Sequence, residues 1–261
     1  MKVYLKIVKE IETIPNHKII GYTGENKEFP FFMIRAGKGN KKVLISGGVH
    51  GDEPAGVFAV IEFFKNHLKD YENNFEFIAF PCVNPFGIEN DRRDNFQGLN
   101  LNREFSQKSN ALETRLILNE IKDMNFLFTM DFHESWSNAT RVEGSLEPEG
   151  EDPHEFYFWE ICADKSRRVG NKILENIAKE GIEICKWEKV YGDINNSGVI
   201  WYPEGNGTPA YAIDSVFDSH MAKFYTSQAF TIETARGWDM EKRVKAHLIS
   251  LMTVLDNYKD K

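Results

Sequence analysis

A chain of 261 residues with 41% hydrophobic and 13% aromatic content can bury a large core and is sized for one α/β domain over residues 1–261. Its formal net charge of −8, with no stripe of Lys or Arg, lacks the basic footprint that phosphate backbones require, so no nucleic-acid partner is expected. The start MKVYLKIVKEIETIP alternates charged and apolar residues without a continuous apolar run, no later run reaches membrane-spanning length, and Cys82, Cys162 and Cys185 are too scattered for a disulfide framework, which together predict a cytoplasmic protein with no membrane partner.

In chain order, short strands are predicted over Val3 to Val8, His17 to Tyr22, Phe31 to Arg35 and Lys42 to Ser46, separated by turn residues at Pro15-Asn16, Gly24-Glu25-Asn26 and Gly37 to Asn40. The apolar run Val43-Leu44-Ile45 leads into Ser46-Gly47-Gly48-Val49-His50-Gly51-Asp52-Glu53-Pro54. A helix at roughly 54–69 then carries Val57, Val60, Ile61, Phe64 and Leu68. Pro54 suits a first helical position and biases Glu53 away from helical dihedrals, so His50 and Glu53 belong on the turn, at the carboxyl end of a buried strand. Phe75 to Pro81 reads as a strand. Asn84 to Phe105 follows as a long, turn-rich loop of the kind that usually carries function.

A helix at about Ala111 to Met124 precedes a second apolar strand, Phe126 to Met130, that runs into Asp131-Phe132-His133-Glu134-Ser135. Asp152 to Glu180 is helical in pattern with a break near Gly170, Ile182 to Val190 suits a strand, and Tyr191 to Ala210 suits a surface loop or lid. Ala229 to Glu233 returns to strand character, and Asp239 would cap a final helix carrying Val244, Leu248, Leu251, Met252 and Leu255.

His-x-x-Glu alone is a weak signal. With His133 it becomes a set of two neutral imidazoles and a carboxylate, which leaves a tetrahedral zinc one open position, as a hydrolase needs. The remaining histidines, His17, His67, His154, His220 and His247, lack such context and read as structural or surface residues.

Four stretches in order, His50-Gly51-Asp52-Glu53, Asn84-Pro85 with Arg93 and Asn102-Arg103, Asp131-Phe132-His133, and Phe230-Thr231-Ile232-Glu233, resemble the zinc carboxypeptidase superfamily, including its succinylglutamate desuccinylase and aspartoacylase branch. The resemblance implies a three-layer α/β/α sandwich around a mixed, roughly eight-stranded sheet, one Zn2+ per chain and hydrolysis of an amide bond. It makes His50, Glu53 and His133 the zinc ligands and Glu233 the general base on the activated water. Arg93 becomes the cation that stabilises the oxyanion, with Arg92 its rival. Asn102 and Arg103 become the grip on a free substrate carboxylate. Tyr202, or alternatively Tyr211, resembles the tyrosine that closes over substrate. Asn100 stands where the family often has an aspartate orienting the first zinc histidine; its amide carbonyl can still accept the imidazole N–H, with less charge.

The leading reading is a metallocarboxypeptidase acting on the C-terminal residue of a small peptide. The alternatives are an N-acyl amino acid deacylase, an inactive metal-containing ligand-binding module, and a non-metal α/β protein in which the match is accidental.

Overall fold

The computed structural model describes residues 3–106, 108–135, 152–203 and 215–259. The chain opens with helix α1 (Val3–Glu12) and strands β1 (His17–Thr23), β2 (Phe29–Ala36) and β3 (Lys41–Gly47). Helix α2 (Ala55–Glu62) continues through a π-helical turn, Phe63–His67, into the short α3 (Leu68–Tyr71), and β4 (Phe75–Phe80) follows. The long loop holds α4 (Pro85–Asn90) and a 3-10 turn at Leu101–Arg103 before α5 (Leu112–Ile121) and β5 (Phe128–Ser135). Then come β6 (Tyr157–Ile161), a 3-10 turn at Lys165–Arg167, α6 (Gly170–Lys179), the hairpin β7 (Lys189–Val190) and β8 (Asp193–Ile194), and β9 (Val199–Tyr202). Helix α7 (Phe217–Phe224), β10 (Ala229–Ala235) and α8 (Met240–Lys259) complete the described chain.

The eight-stranded sheet has the order β1-β2-β4-β3-β5-β10-β6-β9 and is mixed. Strands β4, β3, β5 and β10 run parallel, β1, β2 and β4 pair antiparallel in turn, β6 is antiparallel to β10, and β9 is parallel to β6. Alternation along the strands separates two cores. Val43, Ile45, Phe128, Met130, Phe132, Phe230 and Ile232 face the layer of α1, α2, α6 and α8. Leu44, Ile78 and Phe80 face α5 and α7. The result is the three-layer sandwich expected from the sequence. No helix among the described residues is long and apolar enough to cross a membrane.

Several local expectations are overturned. Val3 to Val8 is helix, because Tyr4, Ile7, Val8 and Ile11 recur at helical spacing and are the buried stripe; burying each such side chain is worth about 1.5–3 kcal/mol, more than the short charged alternation offers as a strand. Of the helix expected over Asp152 to Glu180, only Gly170–Lys179 forms. Tyr157, Phe158 and Trp159 instead make β6, as aromatic residues buried on both faces of a sheet favour. Ile182 to Val190 is not a strand beyond an isolated bridge at Ile184 and the two residues of β7. The loop from Tyr191 contains β8 and β9, and its part from 204 on lies outside the described residues.

The turn between β3 and α2 packs closely against α4. Gly48 takes a positive φ of 65°, and a Cβ on Gly51 would stand 2.1 Å from the Gly87 carbonyl carbon and 2.2 Å from its Cα. Both obstacles are main chain, so no rotamer change relieves them. Gly51→Ala should therefore cost about 1–3 kcal/mol and lower Tm by several degrees; an unchanged Tm would show that the His50 turn and α4 can separate freely.

Candidate active site

Strands β3, β5 and β10 end at one place on the sheet face that carries α5 and α7. His133 and Asp131 lie two apart on β5, hence on the same face, and β10 sets Glu233 opposite His133 and Thr231 opposite Asp131 in parallel register. The turn after β3 supplies His50 and Glu53. Asn84 Nδ2 donates to the Arg93 carbonyl at 2.9 Å while Asn84 Oδ1 accepts the Gly87 N–H that opens α4, so the Asn84-Pro85 motif pins the loop that carries Arg93. Gly51 N–H also donates to the Arg93 carbonyl, at 3.3 Å.

His50, Glu53, Arg93, Asn102, Arg103, His133 and Glu233 line a single cavity. Arg93 Nη1 donates to Glu53 Oε1 at 3.0 Å, whereas the Arg92 guanidinium lies over the Phe86 ring, exposed and outside the cavity lining. Asn102 Oδ1 accepts the Phe217 N–H at 2.9 Å, which turns its amide nitrogen the other way. Tyr202 does not line the cavity; it packs with Tyr157, Trp159 and Ile200, with Asp193 beside its hydroxyl. Tyr211 lies outside the described residues.

The three expected metal ligands converge. His50 Nδ1 is 2.7 Å from Glu53 Oε1, His133 Nδ1 is 2.8 Å from Glu53 Oε2, and the two Nδ1 atoms are 3.1 Å apart. The tautomers follow from the far side of each ring. Asn100 Oδ1 accepts the Asn102 backbone N–H at 2.9 Å, so the atom 3.1 Å from His50 Nε2 is oxygen and Nε2 carries the proton. His133 Nε2 donates to Asp131 Oδ2 at 2.7 Å, and Asp131 Oδ1 accepts from Ser46 Oγ at 2.7 Å. A neutral ring at either position would turn its Nδ1 lone pair to the Glu53 carboxylate, so the set is satisfied only by a cation, either a proton on Nδ1 or a metal ion.

Two ligand atoms about 2.1 Å from one tetrahedral ion would be roughly 3.4 Å apart, a few tenths of an ångström beyond the spacing seen here, so the set fits zinc. The electrostatics agree. Burial pushes the Glu53 carboxyl up, but His50 and His133 outweigh it and hold it well below the usual range; burial pushes His133 down, but Asp131 and Glu53 outweigh it and raise it well above the usual range.

Other cavity residues escaped the sequence reading. Tyr191, at the left-handed turn of the β7–β8 hairpin, donates its hydroxyl to Asp152 Oδ1 at 2.6 Å and stacks on Trp159. The Tyr191-Gly192 turn was its one local signal. Glu134 accepts the Ala55 N–H at the start of α2 and pairs with Arg243. Asp218 and Thr231 line the wall next to Val216. Asp218 had no signal, because α7 itself was not anticipated.

The Succinylglutamate desuccinylase/Aspartoacylase catalytic domain family model matches residues 39–161. No curated protein matches the chain by sequence. Among solved structures, a candidate metallopeptidase from Shewanella amazonensis is 18% identical and superposes with a TM-score of 0.76 over 99% of this chain and 93% of that one. A metallo-carboxypeptidase from Burkholderia cenocepacia (14% identity, TM-score 0.63) and one from Pseudomonas aeruginosa in complex with (2-guanidinoethylmercapto)succinic acid (14% identity, TM-score 0.64) each align over 97% of this chain and 67% of theirs. Residues 39–161 thus resemble the Succinylglutamate desuccinylase/Aspartoacylase catalytic domain, and the chain shares its fold with these metallopeptidase and metallo-carboxypeptidase structures.

Proposed function

We propose that this single catalytic domain is a zinc-dependent hydrolase of amide bonds, and first of all a carboxypeptidase that releases the C-terminal residue of a small peptide. The observation that carries the reading is the convergence on one cavity of side chains from four separate stretches of sequence, with a paired-histidine and carboxylate set at its floor. Zinc held by Nδ1 of His50, Nδ1 of His133 and the Glu53 carboxylate would supply Lewis acidity, lowering the pKa of a water and polarising the scissile carbonyl.

The chain's own residues do the rest. Glu233, in register with His133, takes a proton from the attacking water on its carboxylate and passes it to the leaving nitrogen. Burial pushes the Glu233 carboxyl well up against the downward pull of His133, which suits a group that must hold and release a proton in one cycle. Arg93, braced on Glu53, provides a fixed cation where the carbonyl oxygen gains charge. Asn102 and Arg103 hold the free carboxylate of the leaving residue. The ligand of the Pseudomonas aeruginosa enzyme is itself a succinic acid, which supports a carboxylate-bearing ligand in this cavity.

N-acyl amino acid deacylation is the second reading, favoured by the family match over residues 39–161. It uses the same zinc, base and carboxylate grip. An inactive binding module would have no use for Glu233 and Arg93 in place.

The purified protein should hold about one zinc per chain by elemental analysis, and His50→Ala or His133→Ala should abolish retention; full zinc in both variants would break the ligand assignment. Glu233→Gln should keep zinc and lose about 10²-fold or more of the hydrolysis rate, so retention of most of the rate would exclude Glu233 as the base. For one substrate in acid and amide forms, Arg103→Ala should cost the acid about thirty- to a thousandfold in kcat/KM and the amide little. Equal losses on both forms would mean that Arg103 does not read the carboxylate.

A further inference from the structure

Glu113, in the first turn of α5, is 0% exposed, and its Oε1 has no hydrogen-bond partner. Burial pushes its carboxyl up, against the opposing pull of its own N–H, of Asn95 and of Arg115. An apolar side chain would pack there without that cost, so the use of the carboxyl lies in what its other oxygen holds. Asn95 Nδ2 donates to Glu113 Oε2 at 3.1 Å. Asn95 is fully buried too, and its Oδ1 accepts the Gln97 N–H at 2.9 Å and the Leu99 N–H at 3.0 Å. The main chain closes the same turn, from the Asn95 N–H to the Leu99 carbonyl and from the Gly98 N–H to the Asn95 carbonyl, both at 3.0 Å. With Oδ1 committed to two main-chain donors, the amide nitrogen faces Glu113.

This turn lies between Arg93 and the pair Asn102-Arg103. From 91 to 100 the chain has neither helix nor strand, so side chains set its course: Asn84 fixes the Arg93 carbonyl, the Asn95 turn follows, and Asn100 then caps the turn at Leu101–Arg103. Helix α5 is held in the core by Ile117, Leu118 and Ile121. The bond between Asn95 and Glu113 therefore ties the loop that carries the proposed oxyanion cation and carboxylate grip to a helix that carries neither. Glu113 itself does not line the cavity.

We propose that Glu113 is a positioning residue for the substrate-carboxylate site: through Asn95 it sets the course of the loop, and so the place at which Asn102 and Arg103 meet a free carboxylate. Its loss should leave zinc in place, because His50, Glu53 and His133 come from other stretches of the chain. The effect on substrate rests on the hydrolase reading, whereas the fixing of the loop is measurable without turnover.

The test uses the zinc-loaded full chain, with zinc content and Tm recorded for every variant. Hydrogen exchange over residues 94–103 reads the loop, and kcat and KM on one substrate in acid and amide forms read the grip. Glu113→Leu removes the acceptor, and Asn95→Asp at about pH 8 sets two carboxylates face to face. Each should raise exchange in 94–103 relative to 128–135 and cut the acid-over-amide ratio in kcat/KM at least about tenfold, chiefly through KM for the acid, with zinc retained. Glu113→Gln keeps an acceptor for Asn95 and should hold most of both. The double variant Asn95→Asp/Glu113→Gln puts a donor opposite the new carboxylate and should recover most of what Asn95→Asp loses. A lowered Tm with loop exchange and acid-over-amide ratio unchanged would mean that Glu113 only steadies α5, and the proposal falls while the hydrolase reading stands. Failure of the double variant to recover overturns the pairing on which the proposal depends. Should the wild-type protein cleave no amide bond, the hydrolase reading falls, and the fixing of the loop by Glu113 stands or falls on the exchange pattern and its recovery.

Discussion

Three acceptors turned toward one another are stable only around positive charge, and the architecture at the ends of β3, β5 and β10 is arranged to keep them there. Each imidazole is locked from behind by an oxygen, so neither ring can turn its N–H inward and satisfy Glu53 as a neutral donor. The Glu53 carboxylate is fixed in turn by the Glu134 N–H at 3.1 Å and by Arg93. These locks differ in strength. His133 is backed by a fully buried carboxylate that Ser46 also holds, whereas His50 is backed by an amide that also serves the turn at Asn102. His50 is therefore the less basic of the two imidazoles, and any cation held here should lean on His133 and Asp131.

Most of the candidate site could be read from the sequence because it sits where strands stop. An apolar run that ends on His133 or Glu233 announces both the strand and the residue, and the pairing of β5 with β10 turns two separate endings into neighbours. The same reasoning failed where periodicity and composition disagreed. In α1 the lysines and glutamate between the apolar positions imitate alternation, and only the burial of Tyr4, Ile7, Val8 and Ile11 on one stripe reveals the helix. Around β6 the reverse occurred. Glu160, inside the span that reads as helical, lies on β6 fully buried and accepts the N–H groups of Val169 and Gly170, which open α6.

Residues that line the cavity from loops and helix ends were beyond sequence patterning for a physical reason. Tyr191 reaches the site only because a left-handed turn between two-residue strands throws its ring onto Trp159, and Tyr202, in a context that suggested the same role, is consumed by packing on the far edge of the sheet. Arg92 and Arg93 are adjacent and chemically identical. What separates them is the direction the loop takes after Asn84 captures the Arg93 carbonyl, a property of the main chain rather than of either side chain.

The strand order has a kinetic consequence. β10 lies between β5 and β6, although both precede it in the chain by well over fifty residues, and it carries the only carboxylate here proposed as base. Until β10 is inserted, β5 and β6 present two unsatisfied apolar edges to solvent, a state in which a growing chain is exposed to wrong pairing. Closing that gap joins distant parts of the sequence and belongs to the slow, non-local class of folding events. In chain order, the three residues proposed as metal ligands are therefore all made long before the residue proposed as base, which comes with the strand that also seals the sheet.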